Sequence, residues 1–319
     1  MKTCQESSIV FFGTSEFGAI ILEKLVQADL SPVLIVTTPD KPVGREQLLT
    51  PPPVKLFAEK FRLPIIQPDN LPNIAMAELR RQKIDLFVVA SYGKILPKTL
   101  LDIPKNGSLN VHPSLLPKYR GSSPVHAALL NGDEETGVSI IVLDEKMDHG
   151  AILAQQELRI SNDEFLISKP TYPELHNKLA EIGAELLVKT IPDWIEGKIK
   201  PVPQNEDKAT YTHILKKEDG RIDWNKEAVY IERQVRAMYP WPGTYTFLKS
   251  KILKILKADI IKNIQGEPRK AFQTADGKLA VYAGKDAILL EEIQMEGGKP
   301  MSSKEFLLGH RDCIGTTLE

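Results

Sequence analysis

Asn110 and His112 stand two apart in Leu109-Asn110-Val111-His112, an apolar run that reads as a strand. Side chains alternate along a strand, so both point to one face. At the strand's end an amide and an imidazole can converge on a single atom, donate hydrogen bonds to it and exchange a proton with it. Pro113 and Pro117 bracket a rigid turn that cannot continue the ladder, and Lys118-Tyr119-Arg120-Gly121-Ser122-Ser123-Pro124 follows. Farther on, Asp144-Glu145-Lys146-Met147-Asp148-His149-Gly150 supplies carboxylates on a second loop. A lone histidine at a strand end is more often a packing residue than a catalyst. The rigid turn and the second acidic loop are what weight this one toward chemistry.

The elements that must position these residues are short apolar runs alternating with helical patterns. Ile9–Thr14, Val33–Thr38, Pro64–Gln67, Leu86–Ala90, Leu109–His112 and Val138–Val142 read as buried strands. Helical patterns occupy Glu16–Gln27, Val54–Lys60, the neighbourhood of Met76 to Gln82, and Pro173–Ile195, where Leu175, Leu179, Ile182, Leu186 and Ile191 keep a near-helical period. A proline-rich loop spans Pro39 to Pro53. This order predicts an α/β domain over residues 1–195, a Rossmann-like, mostly parallel sheet with helices on both faces. Such sheets bind ligands beyond the carboxyl ends of their strands. The His112 segment and the Leu143–Gly150 loop both follow strands, so chemistry is expected at that edge.

Residues 196–207, with two prolines and many charges, read as a linker. Past it, short runs at Thr244–Phe247, Lys278–Tyr282 and Ala287–Glu291, with a helix at about Ala228 to Met238, predict a smaller C-terminal β-barrel (OB-like) domain over 208–319. The whole chain carries a net charge of -1, which by itself predicts no polyanion partner. The halves differ: from Lys208 onward there are 19 Lys+Arg against 15 Asp+Glu, leaving 22 against 27 before it. Lys249 to Lys270 is the densest basic stretch of the second domain, seven basic residues against two acidic.

Two cysteines, Cys4 and Cys313, lie outside every motif, which argues against a disulfide framework or a thiolate metal site. No His/Cys cluster has metal spacing, so no metal is expected. The first residues lack a signal-peptide core, and no apolar run approaches the roughly 20 residues that span a bilayer. The expectation is a cytoplasmic protein with no membrane contact. The strand-to-helix turn Gly13-Thr14-Ser15-Glu16-Phe17-Gly18 lacks the G-x-G-x-x-G spacing of dinucleotide folds, and its glycines are assigned to a tight turn.

Asn110-Val111-His112-Pro113-Ser114-Leu115-Leu116-Pro117-Lys118-Tyr119-Arg120-Gly121, followed by Asp144 and Asp148-His149-Gly150, resembles the signature of the formyltransferases that use 10-formyltetrahydrofolate. The resemblance implies a catalytic set of Asn110, His112 and Asp148. It further implies a folate pocket lined by Ser114, Leu115, Leu116, Pro117, Ala90, Tyr92, Ile95 and Asp144. The physics suits these roles. Formyl transfer to an amine passes through a tetrahedral intermediate whose oxygen turns negative, and each well-placed donor to it contributes roughly 2.7–4 kcal/mol in comparable sites. Asn110 and a protonated His112 are such donors, while an Asp148 carboxylate favours the charged imidazole and can pass a proton from amine to leaving nitrogen through a water. No covalent nucleophile is required, because an α-amino group with a pKa of about 7.7–8 is partly deprotonated near neutrality.

The chain continues for over a hundred residues past the folate domain. Ala209–His213, Arg221-Ile222-Asp223-Trp224, Gln234–Ala237, Pro240-Trp241-Pro242-Gly243 and Phe306–His310 resemble the family members that act on tRNA. That branch implies transfer to the α-amino group of initiator methionyl-tRNA for translation initiation, with folate as cosubstrate, no obligate protein partner and a monomer. Pro39–Arg45 with Pro52–Lys55 is similar to the loop those members extend toward the acceptor stem, which assigns tRNA contacts to Lys41 and Arg45. Glu46-Gln47-Leu48-Leu49 stands where further lysines are common, so fewer phosphate contacts and a shallower salt dependence are expected. Lys249, Lys251 and Lys254 are the first candidates for the tRNA backbone, although alternation along a strand spreads them over two faces. Trp224, Trp241 and Tyr245 are read as core and turn packing rather than base-stacking platforms. Two other readings stay open: a formyltransferase of sugar nucleotides sharing the folate domain, and a non-catalytic RNA-binding protein.

Overall fold

In the computed structural model, which describes residues 7–44, 46–69, 79, 83–160 and 169–319, the first apolar run forms strand β1 (Ile9–Gly13). Helix α1 (Glu16–Gln27) follows and buries Phe17, Ile21, Leu22 and Leu25. Next come β2 (Leu34–Val36), β3 (Lys41–Val43), β4 (Leu48–Thr50), helix α2 (Pro53–Lys60), β5 (Ile65–Ile66), β6 (Leu86–Ala90), β7 (Ser108–His112), β8 (Arg120–Gly121), β9 (Glu135–Val142) and β10 (Ile152–Arg159). Pro53 opens α2 where its missing N–H is no loss. The helix expected around Met76 to Gln82 lies, Leu79 apart, outside the described residues.

Seven strands form one sheet in the order β10-β9-β7-β6-β1-β2-β5. The pairs β6–β7, β1–β6, β1–β2 and β2–β5 are parallel. β9 runs antiparallel to both of its neighbours. Every residue of β1 and β6 is buried, as strands covered on two faces must be. One face holds a core of Val10, Phe12, Val36, Phe87, Val89 and Leu100. The expected mostly parallel α/β sheet is therefore present.

Three expectations change. The stretch from Pro39 to Pro53 is not all loop: β3 and β4 pair as a hairpin, Lys41 opposite Thr50 and Val43 opposite Leu48. All six of its strand residues are exposed, so it carried no burial signal. β10 was also unread, because its outer face leaves no clean alternation. The early glycines, assigned to a tight turn, also serve close packing: a Cβ on Gly18 would lie 2.8 Å from the Ala90 carbonyl oxygen, so α1 can rest directly on β6 only through glycine.

By its internal contacts the chain divides into two units, Met1–Pro124 with Glu135–Arg159 and His176–Thr212, and Val125–Glu134 with Ile160–Leu175 and His213–Glu319. The first unit also holds β11 (Tyr211–Thr212), which pairs in parallel with β8. In the second, β12 (Thr244–Leu248), β13 (Lys251–Ile261), β14 (Ala271–Gln273), β15 (Leu279–Tyr282), β16 (Ala287–Met295) and β17 (Met301–Ser302) form an antiparallel sheet, ordered β12-β13-β16-β15-β14 with β17 on β16. The tail lies between the two edge strands. Ala271 N–H donates to Thr316 O and Leu318 N–H to Arg269 O on one side, while Phe247 and Glu319 exchange backbone bonds at 3.0 Å on the other. Those bonds close the sheet into a barrel and leave neither edge bare. Its core holds Trp224, Ile231, Leu253, Leu279, Ile288 and Phe306. The buried Trp224 indole donates to Thr246 Oγ1 at 3.0 Å. Trp241, by contrast, is 57% exposed, so it packs in no core; it sits between two prolines that hold it on a surface turn.

Candidate active site

β7 ends at His112, and Asn110 and His112 lie on one face of it with buried Val111 between them. His112 is 4% exposed. Its Nε2 is 3.0 Å from the Tyr119 carbonyl oxygen. A carbonyl can only accept, so Nε2 carries a proton there, and Nδ1 is the nitrogen turned to the other groups. Nδ1 lies 3.6 Å from Asp148 Oδ1, and Asn110 Nδ2 approaches the same oxygen at 3.5 Å. Both contacts are longer than committed hydrogen bonds. The other carboxylate oxygen is anchored: Gly121 N–H donates to Asp148 Oδ2 at 2.7 Å. The structure thus brings Asn110, His112 and Asp148 together, with Oδ1 uncommitted between an amide and an imidazole.

Asp148 arrives by a different route from the one the strand order suggests. Because β9 is reversed, Val142 at its end pairs with Leu109, and Leu143 N–H donates to Ser108 O. The loop therefore leaves beside the start of β7, not at the carboxyl edge, and has to double back to reach His112. It turns through Gly150, where a Cβ would stand 1.7 Å from the Val142 carbonyl oxygen, and Asp148 itself takes a positive φ of 48°, a conformation Asp tolerates better than most residues.

Four of the eight residues assigned to the folate pocket, Ser114 to Pro117, lie in the turn that directly follows His112. Ser114 is buried and donates from Oγ to Lys118 O at 2.6 Å. Ser139 Oγ donates to Ser114 O and receives the Leu116 N–H, so β9 holds the turn. Leu115 packs against Gly137, and Gln155 donates to Leu116 O at 3.0 Å. Pro117 O receives the Thr210 N–H. Ile95 is 75% exposed. Asp144 is exposed as well and is bound within its own loop, to Lys146 N–H at 2.9 Å and His149 Nδ1 at 2.5 Å. Ala90 is fully buried at the end of β6.

Tyr92 points into the core, edge-on to Phe12 with centroids 5.5 Å apart, and its hydroxyl has no partner among the described residues. Burial pushes the phenol up to about 12. A phenol raised by the fold leaves stability intact below its unfolded value near 10 and withdraws it as pH climbs toward about 12. Tyr92→Phe, which keeps the ring and removes the unpartnered hydroxyl, is expected to be at least as stable as the parent in urea unfolding at pH 7 and to gain about a further 1–2 kcal/mol over it at pH 11. Equal stability at pH 11 would refute this.

The basic residues assigned to RNA are dispersed. Lys41 is exposed on the β3–β4 hairpin; Arg45 lies outside the described residues. Lys249 is ion-paired with Asp312. Lys251 and Lys254 are exposed on β13 and, being three apart, project to opposite faces there. No group of three or more His, Cys, Asp or Glu among the described residues could hold a metal, and no helix among them is long and apolar enough to cross a membrane.

Sequence patterns did not disclose the supports of the set. Tyr119 O and Gly121 N are backbone atoms. Arg120, 1% exposed, grips Glu206 through Nη2 to Oε1 at 2.7 Å and Nη1 to Oε2 at 3.0 Å, a bidentate pair of the strong kind. This bond holds the Glu206 carboxyl below its ordinary range. Gln204 donates to the carbonyl oxygens of Asp148 and Gly150 at 2.7 and 2.8 Å. The arginine inside the quoted motif was the only signal for any of this.

Comparison with known proteins places these features. Residues 7–191 match the formyl transferase family, and residues 214–311 match the formyl transferase C-terminal domain. A methionyl-tRNA formyltransferase of Staphylococcus epidermidis is 41% identical over 310 residues, covering 97% of this chain and 98% of that protein. One of Geobacter sulfurreducens is 40% identical over 311 residues, covering 97% and 96%. Among solved structures, an N-formyltransferase of Helicobacter canadensis in complex with folinic acid and dTDP-3-aminofucose superposes with a TM-score of 0.65 at 19% identity, covering 91% of this chain and all of that one. HypX of Aquifex aeolicus in complex with tetrahydrofolic acid gives 0.61 at 16% identity, covering 94% and 46%. At those identities the structural likeness is one of fold.

Proposed function

The chain belongs to the formyl transferase family through both of its domains, and from that premise we propose that it transfers the formyl group of 10-formyltetrahydrofolate to the α-amino group of methionyl-tRNA. What carries the choice of acceptor is the identity of about two residues in five, sustained from end to end, with methionyl-tRNA formyltransferases. The chemistry rests on the meeting of Asn110, His112 and Asp148 around one carboxylate oxygen.

In this reading the amine nitrogen attacks the formyl carbon and the formyl oxygen takes up the negative charge. Asn110 Nδ2 and the His112 Nδ1–H donate to it. Asp148, held by Gly121, accepts the proton the amine sheds and passes it through water to N10 of the folate. The C–N10 bond then breaks, leaving formylated amine and tetrahydrofolate. The turn from Ser114 to Pro117, with Ile95 and the Asp144 loop, lines the folate site. Residues 1–195 act as the catalytic domain and 208–319 as the tRNA-holding domain, with Lys41, Arg45, Lys251 and Lys254 as phosphate contacts. Lys249 contributes less because Asp312 already neutralises it.

The test is incubation with 10-formyltetrahydrofolate and either methionyl-tRNA or amino-sugar nucleotides. Formylated methionyl-tRNA is expected; formylation of the sugar amine alone would overturn the assignment. His112→Ala is expected to bind tRNA within about threefold of the parent, since a ring 4% exposed offers little surface to a partner, and to lose about 10²-fold or more in turnover. A parallel loss of tRNA affinity would count against its role.

A further inference from the structure

The stretch from 202 to 212, which the sequence offers as the end of a linker and the start of the second domain, is bonded to both loops of the active site. Val202 and Ile152 exchange backbone bonds at 2.8 and 2.9 Å. Thr210 receives the Tyr119 N–H on Oγ1 at 2.8 Å and the Arg120 N–H on its carbonyl at 2.8 Å, and donates its own N–H to Pro117 O. Thr212 Oγ1 receives the Ser123 N–H and donates to Arg120 O, both at 3.1 Å. The carbonyl that fixes the His112 tautomer belongs to Tyr119, so this strand-like segment holds the histidine's support from behind.

At its other end the same segment holds Asp148. The Gln204 amide nitrogen spans the Asp148 and Gly150 carbonyls, and its oxygen accepts from Arg120 Nε at 3.0 Å. Arg120 is itself locked by Glu206 and by Nη1 donating to the Tyr211 hydroxyl at 3.0 Å. A half-buried glutamine whose three polar contacts all go to one loop and one buried guanidinium cannot rotate without breaking several bonds at once. Asp148 sits at positive φ in a loop that must double back, and such a turn persists only where its surroundings determine it.

We propose that Gln204 is a positioning residue for formyl transfer: it pins the backbone at Asp148 and Gly150 to Arg120, and thereby sets the height at which the Asp148 carboxylate meets Asn110 and His112. The proposal rests on the reading of Asp148 as the group that moves the amine proton. Its role is distinct from substrate binding, because its amide nitrogen and oxygen are already engaged by Asp148, Gly150 and Arg120.

The test uses the full chain with Gln204→Leu, which keeps the volume and removes the bonds, and Gln204→Glu, which keeps the acceptor for Arg120 but turns an anion toward two carbonyls. Both are expected to fold, with turnover lowered about 10-fold or more and KM for folate and methionyl-tRNA within about threefold, since displacement of a reacting group by an ångström is worth up to about 10²-fold. The Gly121 amide, which donates to Asp148 Oδ2, is expected to exchange with solvent at least about tenfold faster, while amides of β1 are unchanged. Glu206→Gln, an exposed change that leaves Arg120 an acceptor, serves as the milder variant and is expected to lose less than about threefold by the same argument. Turnover within twofold of the parent in a folded Gln204 variant, or unchanged Gly121 exchange, overturns the proposal. So does a loss in Glu206→Gln equal to that in Gln204→Leu. Amide exchange needs no substrate, so it judges the positioning role even if the parent fails to formylate methionyl-tRNA, a failure that would instead sink the proposed function.

Discussion

Asp148→Asn is expected to lower kcat by about 10²–10⁴-fold while KM for methionyl-tRNA stays within about threefold. The variant separates charge from position. An asparagine oxygen can take the bond that Gly121 N–H now gives to Oδ2 at 2.7 Å, and Gln204 continues to hold the backbone at this residue, so the loop keeps its path. The other atom becomes an NH2 group facing the Asn110 amide at 3.5 Å and His112 Nδ1 at 3.6 Å. Because the ring proton is held on Nε2 by the Tyr119 carbonyl, Nδ1 can accept from that NH2, and the atom meant to donate to the formyl oxygen is then occupied. The amine proton loses its acceptor as well. Single-turnover formylation with enzyme in excess isolates this step from product release. A fall of less than about tenfold in that measurement would remove Asp148 from the proton path.

How much of this was legible beforehand follows from what each residue exposes in its type. Asn110 and His112 were legible because alternation along a strand puts them on one face, and the strand itself was marked by apolar residues on either side. The sheet was legible for the same reason: β1, β6 and most of β9 are buried throughout. The hairpin at Lys41–Thr50 and the edge strand β10 were not, because exposed or half-exposed residues leave no alternation to detect. Direction was lost too. Nothing in Val138–Val142 says that the strand runs against its neighbour, and this reversal decides where the Asp148 loop begins. Least visible were the supports. Every residue but proline offers a backbone N–H, so Gly121 could not be singled out as the donor to Asp148. Gln204 is one polar residue in a charged, proline-flanked stretch with no period, and only the folded chain puts its amide against Asp148 and Gly150. Of the barrel's strands β12, β15 and β16 were foreseen and β13, β14 and β17 were not, and its closure by Thr316–Glu319 depends on backbone bonds that side-chain patterns do not encode.

Gly150→Ala is expected to lose about 10²-fold or more in kcat and about 1–3 kcal/mol in stability. The residue closes the acidic motif, and its φ is not among the left-handed ones. Handedness is therefore not why glycine is needed. The need is space: a Cβ would stand 1.7 Å from the Val142 carbonyl oxygen and 2.9 Å from its carbon. Both atoms are backbone at the end of a paired strand, where Val142 N–H already donates to Ala151 O, so neither can yield as a flexible side chain would. The loop itself has to move, two residues from Asp148 and through the very carbonyl that Gln204 grips. The strain and the catalytic loss thus share one cause and should appear together. Gly309→Ala is the control: nothing lies within 4 Å of its added methyl, and it should stay within about 0.5 kcal/mol of the parent. Thermal unfolding and turnover measured on both variants decide the matter. An alanine at 150 that left turnover within about threefold would show that the carboxylate reaches His112 independently of this packing, and the doubling-back of the loop would no longer explain the glycine.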